Sequence, residues 1–199
     1  MYVCIAADLH SRHREIIWPK ADVLVIAGDL VDAFKVRNYK INYQITTLED
    51  LDFMLDPIYK HVLVTGGNHD FALEEARHRL KFKKIQVLEN RSCTINGKTF
   101  YGSPWNMAGM AFDKRSKKDA FTNIPEDLYI LFTHVPPGNI FGTEWGDPEL
   151  LEIIRKVKPK IHIFGHDHIN IGTEKIDDTL FINASIMART MREPVVINI

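Results

Sequence analysis

Five apolar runs in this chain each stop at Asp, Asn or His, and that pattern constrains the fold more than any other feature. Val3-Cys4-Ile5-Ala6-Ala7 leads into Asp8-Leu9-His10, and Val23-Leu24-Val25-Ile26-Ala27 into Gly28-Asp29. Val62-Leu63-Val64-Thr65 leads into Gly66-Gly67-Asn68-His69-Asp70. Leu128-Tyr129-Ile130-Leu131-Phe132 precedes Thr133-His134, and Ile161-His162-Ile163-Phe164 precedes Gly165-His166-Asp167-His168. Apolar runs this short and unbroken fit strands buried on both faces. Ligand sites of open α/β sheets lie at the carboxyl ends of strands, so five polar strand ends predict one shared pocket.

The intervening segments fit an α/β chain. Ile45, Leu48, Leu51, Leu55 and Ile58 form an apolar stripe, which predicts a crossover helix over about residues 39–60 that stops near Pro57. Thr46 or Thr47 with Glu49 or Asp50 offers first-turn chemistry for it. A second helix is expected over 71–82. Pro148 in the first turn, with Asp147 as cap, starts a third over 148–157. Asn96-Gly97 between two strand-like runs is a hairpin signal, so antiparallel pairing joins the parallel strands. Closing strands are expected over 169–176, 179–183 and 195–199. With no internal repeat or linker, residues 1–199 read as one domain.

Composition narrows the partners. The net charge of −1 gives no global electrostatic case for nucleic acid or an acidic membrane. No run has the length of a membrane span and no secretory signal is evident, so no membrane partner is expected. Two unpatterned cysteines, Cys4 and Cys93, fit buried thiols in a reducing compartment, and the expected location is cytoplasmic. Lys114, Arg115, Lys117 and Lys118 read either as a solvated face or as a rim attracting phosphorylated substrates. They are the one hint toward nucleic acid.

If the strand ends converge, the pocket holds Asp8, His10, Asp29, Asn68, His134, His166 and His168. Side chains two apart in an extended segment point the same way, which pairs Asp8 with His10 and His166 with His168. An oxygen-and-nitrogen set without thiolate suits Mn, Fe, Zn or Ni better than a hard Mg or Ca cage. Seven ligands exceed the needs of one tetrahedral ion and fit two ions sharing a carboxylate. Two metals roughly 3.5–4 Å apart form a clamp for in-line displacement at phosphorus. Trp105, Asn106, Phe141 and Trp145 lie on loops, where the aromatics either stack on a base or pack the loops.

These ordered blocks (Asp8-Leu9-His10, Gly28-Asp29-Leu30-Val31-Asp32, Gly67-Asn68-His69-Asp70, His134, Gly165-His166-Asp167-His168) resemble those of the calcineurin-like metallophosphoesterases. Gly102-Ser103-Pro104-Trp105 and Thr133-His134-Val135-Pro136-Pro137 are similar to the metallophosphoesterase-domain group related to cyclic-nucleotide phosphodiesterases. The resemblance implies a four-layer α/β/β/α sandwich of two mixed β-sheets flanked by helices. It assigns Asp8, His10, Asp29 and His168 to a first divalent metal. Asn68, His134 and His166 go to a second, with Asp29 as bridge, and manganese is the first choice of ion.

His69 would stand over the substrate phosphate as general acid or charge stabiliser. Asp32 would orient its imidazole, Asp70 would support the loop, and Asn68 and Trp105 would also border the substrate. A metal-bridging hydroxide would attack a small phosphodiester, with cyclic nucleotides the class that the resemblance implies. Ala33-Phe34 after Asp32, and Asp70 in place of Glu, depart from the protein Ser/Thr phosphatases and argue against that activity. A phosphomonoesterase or a nuclease with the same metal core, or a non-catalytic scaffold, are the competing readings. Oligomeric state stays open.

Overall fold

The computed structural model describes residues 1–33, 41–106, 110–113, 121 and 124–199. In chain order its strands are β1 (Tyr2–Ala6), β2 (Val23–Ala27), β3 (His61–Thr65), β4 (Ile85–Val87), β5 (Arg91–Ile95), β6 (Lys98–Ser103), β7 (Leu128–Thr133), β8 (Ile161–Phe164), β9 (Gly172–Ile176), β10 (Thr179–Asn183) and β11 (Val195–Asn198). They form a five-stranded sheet, β11-β1-β2-β3-β4, and a six-stranded sheet, β5-β6-β7-β8-β10-β9. The central strands of both are parallel. Antiparallel pairing enters at β11 on β1, β5 on β6 and β9 on β10.

Alternation along the strands builds the layers. Val3, Ile5 and Ala7 face inward with Val23, Val25, Phe100, Ile130, Phe132, Ile161, Ile163 and Ile182, forming the core between the sheets. Cys4, Ala6, Leu24, Ile26, Val62 and Val64 face outward and are covered by α1 (Ile41–Leu55) and α2 (Phe71–Glu75). On the outer face of the second sheet, Tyr101, Leu131, Phe164 and Phe181 pack against Leu150, Leu151 and Ile154 of α3 (Pro148–Val157). The result is the α/β/β/α sandwich, with each central strand buried on both faces. Among the described residues no helix is long and apolar enough to cross a membrane.

Local chemistry sets most boundaries. Asn96 and Gly97 take positive φ values of 49° and 73°, as a two-residue hairpin turn requires. The Asp147 side chain accepts from the N–H groups of Glu149 and Leu150, Pro148 opens α3, and Lys158 ends it at φ 53°.

Three expectations are corrected. Thr46 and Thr47 are not first-turn residues, because the described helix already runs from Ile41; their hydroxyls bond back to the carbonyls of Asn42 and Tyr43. The helix foreseen over 71–82 stops at Glu75 and is followed by a single 3-10 turn, Arg77–Arg79. Tertiary partners explain this. Arg77 reaches the Val87 carbonyl and Glu89, while the Asp52 carboxylate takes the N–H groups of Lys83, Lys84 and Ile85. That draws the chain into β4 instead of a third helical turn. Cys4 and Cys93 are both free thiols, but only Cys4 is buried; Cys93 lies half-buried on the edge strand β5.

Candidate metal centre

The carboxyl ends of β1, β2 and β3 in one sheet and of β7 and β8 in the other meet at one place. Main-chain bonds zip the loops together there. Asp8 N–H donates to the Gly28 carbonyl at 3.0 Å, His10 N–H to that of Asp29 at 3.0 Å, and Gly165 N–H to that of His134 at 3.1 Å. All seven residues foreseen as ligands are brought together.

Asp29 is the hub. Its Oδ1 accepts from the His69 N–H at 2.8 Å. Its Oδ2 lies 3.4 Å from His134 Nε2, 3.7 Å from His10 Nε2 and 3.9 Å from His69 Nε2. One oxygen is thus anchored to the main chain while the other faces three imidazoles. Asp8 Oδ1 lies 3.6 Å from His168 Nε2, and His168 Nε2 lies 3.4 Å from His10 Nε2. On the opposite flank Asn68 Oδ1 lies 2.8 Å from His134 Nε2 and 2.9 Å from His166 Nδ1. Asp8, His10 and His168 form one compact group of donor atoms, and Asp8, Asp29 and His134 form another, each within 4.8 Å.

The donor chemistry fits cations. His134 Nδ1 donates to the Ala27 carbonyl at 3.0 Å, so Nε2 is the ring nitrogen that faces the cluster. Glycine is required where the ligands sit. A Cβ on Gly67 would collide with the Asp29 carboxylate and main chain, and one on Gly28 (φ 86°) would come 2.5 Å from the His134 ring. Asp8, His10, Asp29 and His166 all hold positive φ, at 58°, 42°, 51° and 68°. Such outliers gathered at one place mark a site whose surroundings over-determine it.

The electrostatics follow from burial opposed by neighbours. Burial works to raise the Asp29 carboxyl, but His134, His69 and His10 outweigh it and hold it far below the usual carboxylate range. Burial works to lower His134, yet Asp29 and Asp8 push it up to about 9. His166 is pushed down to about 4 by burial and by His134. Asp70, fully buried and beside Asp29, is raised to about 7.

Several finer expectations change. Asp8 and His10 do not share a face through extended backbone; left-handed φ values at both turn them inward. His166 and His168 do not grip one side together, since His166 reaches Asn68 and His168 reaches Asp8. Asp32 Oδ1 stands 3.7 Å from His69 Nδ1, and the Ala33 N–H donates to the same nitrogen at 3.0 Å. Asp70 does support the loop, its two oxygens accepting from the N–H groups of Val31 and Gly67. Trp105, read as bordering the substrate, is 8% accessible and packs edge-on against Phe121. Asn106 is buried as well, and Phe141 packs on Phe164, whereas Trp145 is 64% accessible. The basic residues Lys114, Arg115, Lys117 and Lys118 lie outside the described residues.

One residue that bears on the site escaped the sequence reading. Gln44, on the buried side of α1, bonds the main chain of the His69 loop. A polar residue next to an apolar helical stripe was the available signal.

Comparison with known proteins agrees with this geometry. A Caenorhabditis elegans UPF0046 protein is 29% identical over 92% of this chain and 68% of its own length. Human metallophosphoesterase domain-containing protein 1 is 27% identical over all of this chain and 70% of its own length. Among solved structures, GAP50, the anchor in the inner membrane complex of Plasmodium, superposes with a TM-score of 0.56. At 13% identity, covering 98% of this chain and 80% of that one, it shares the fold. The family model of calcineurin-like phosphoesterases matches residues 1–170, which is most of the chain and includes all seven candidate ligands. This chain therefore belongs to the calcineurin-like phosphoesterase family.

Proposed function

We propose that the protein is a dinuclear metal-dependent phosphodiesterase acting on small phosphodiesters. Family membership supplies the coarser statement, a metal-dependent phosphoesterase with candidate ligand groups in place. The observation that supports two ions is the position of Asp29 Oδ2, 3.7 Å from His10 Nε2 and 3.4 Å from His134 Nε2; the preference for diesters rests on the resemblance of Gly102-Ser103-Pro104-Trp105 and Thr133-His134-Val135-Pro136-Pro137 to the phosphodiesterase-related group. In this reading Asp8, His10, Asp29 and His168 hold one ion, and Asn68, His134 and His166 with Asp29 hold the other. Bound ions would neutralise phosphate charge and supply a nucleophilic water at neutral pH. Manganese is the proposed metal.

The chain's own residues do the rest. Asp8 is fixed by the His166 N–H, which bonds its Oδ1 at 3.1 Å and Oδ2 at 3.0 Å. Asp29 is fixed by the His69 N–H. His69 Nδ1 accepts from Ala33, so in the neutral ring Nε2 carries the proton and presents it to a phosphoryl or leaving-group oxygen.

The test is a substrate panel on manganese-loaded protein: bis-p-nitrophenyl phosphate, p-nitrophenyl phosphate, cyclic nucleotides and single-stranded DNA. Diester cleavage well above monoester and DNA cleavage supports the reading. No turnover of any diester, or less than one bound metal per chain, overturns it.

A further inference from the structure

We propose that Gln44 is a positioning residue for His69, acting through the main chain of the loop. The inference rests on the reading of His69 given above. Ile45, Leu48, Leu51 and Leu55 of α1 are buried in the layer between helix and sheet, and Gln44 is buried among them at 1% accessibility. A primary amide in such a place is unfavourable unless both of its ends are bonded. Here both are. Nε2 donates to the His69 carbonyl at 2.8 Å, and Oε1 accepts from the Ala72 N–H at 2.8 Å.

The need for this clamp comes from Asp70. It precedes α2 at the N-cap position, where a carboxylate ordinarily accepts from the first N–H groups of a helix. Asp70 makes no such bond, because its oxygens are committed to Val31 and Gly67, tying the β2 loop to the β3 loop. The N–H of Ala72 would then lack a partner in a buried setting. Gln44 reaches in from α1 and supplies the acceptor. The same amide holds the His69 carbonyl, so the residue is gripped on one side by Gln44 and at its N–H by Asp29. The Ala33 N–H bonds the ring, and the Phe71 N–H shares the His69 carbonyl with Gln44 at 3.0 Å. A leucine at position 44 would fill similar volume but hold neither group.

The experiment is a double-mutant cycle on manganese-loaded protein with bis-p-nitrophenyl phosphate. It compares wild type, Gln44→Leu, His69→Ala and the double variant. Gln44→Leu is expected to lower kcat about 10- to 100-fold with KM and metal content unchanged. In the His69→Ala background the same substitution is expected to change kcat less than about twofold. Equal loss in both backgrounds indicates a merely structural role and overturns the proposal, as does wild-type kcat in Gln44→Leu. If His69→Ala keeps wild-type turnover, the reading of His69 fails instead, so the two failures are distinct. If Gln44→Leu does not fold, Gln44→Met takes its place. Amide exchange at Ala72 in the unsubstituted protein reads the clamp independently: strong protection supports it, and free exchange overturns it.

Discussion

The main-chain N–H of Ala33 donates to Nδ1 of His69 across 3.0 Å, while the Asp32 carboxylate stands 3.7 Å from the same nitrogen. A backbone donor can bond only an unprotonated Nδ1, so it selects the tautomer with hydrogen on Nε2. The residue following Gly28-Asp29-Leu30-Val31-Asp32 thus holds the ring beside the motif's second carboxylate.

The first prediction separates these roles. His69→Ala is expected to lower kcat by about 10²–10⁴-fold while metal content stays at the wild-type value. Asp32→Asn is expected to cost about tenfold or less, since the Ala33 N–H still holds the ring. Steady-state kinetics with metal analysis on both variants checks this. An Asp32→Asn loss as deep as that of His69→Ala would refute it.

Gly67→Ala tests the close packing around the hub. The added methyl group collides with the Asp29 carboxylate and its main-chain N. Relief of that collision moves the carboxylate whose Oδ2 faces both His10 and His134. Bound metal per chain is expected to fall, measured by elemental analysis after desalting, with turnover falling alongside. Full metal occupancy in the variant would count against Asp29 as the shared ligand.

Metal removal is expected to lower thermal stability. Asp8 and Asp29 are buried close together, and two like charges out of water repel unless cations lie between them. Ion binding to the folded state alone at a hundredfold excess over Kd contributes about 2.7 kcal/mol. For a chain of this size that corresponds to a shift in Tm of about 5–10 °C. Differential scanning calorimetry with chelator, then with manganese restored, measures it, and an unchanged Tm would argue against tight binding.

Asp52 gives a prediction away from the site. Its carboxylate accepts from Lys83, Lys84 and Ile85 N–H groups at 2.8, 3.0 and 2.7 Å. Asp52→Ala strands these donors and is expected to destabilise the fold by about 2–4 kcal/mol. Urea unfolding reports the change. A shift below about 1 kcal/mol would mean that water replaces the carboxylate.

His162 predicts a pH dependence. It is fully buried on β8 beside Phe164 and Phe181, with Nε2 on Thr133 Oγ1 at 3.0 Å and Nδ1 without a hydrogen-bond partner among the described residues. Burial pushes its pKa down to about 3. Between about pH 6.5 and pH 3 the unfolded chain takes up a proton here that the folded chain refuses. Stability from this group is therefore intact above pH 6.5 and falls as the pH drops, by roughly 2 kcal/mol at pH 5. Urea midpoints at pH 7.5 and 5 should differ less in His162→Leu than in wild type. Parallel curves would remove His162 from the acid limb.

The sequence by itself determined the strands, the candidate ligand residue types and their order. The central strands are mainly apolar runs, β8 with His162 inside it, and can bury both faces only inside a layered sandwich. The polar residues at their ends had no place in that core, so their grouping at one edge was legible. Asn96-Gly97 and Asp147-Pro148 likewise specified their turn and cap through local chemistry alone. What only the tertiary structure decided is set by partners distant in the chain. The left-handed backbone that turns Asp8, His10, Asp29 and His166 inward is unfavourable locally and persists because loops from both sheets bond it in place. The ending of α2 at Glu75, the burial of Trp105 and the fixing of His69 by Ala33 and Gln44 follow from contacts made across the fold. Short-range propensity carries no information about those contacts, because their energy exists only once the layers have packed.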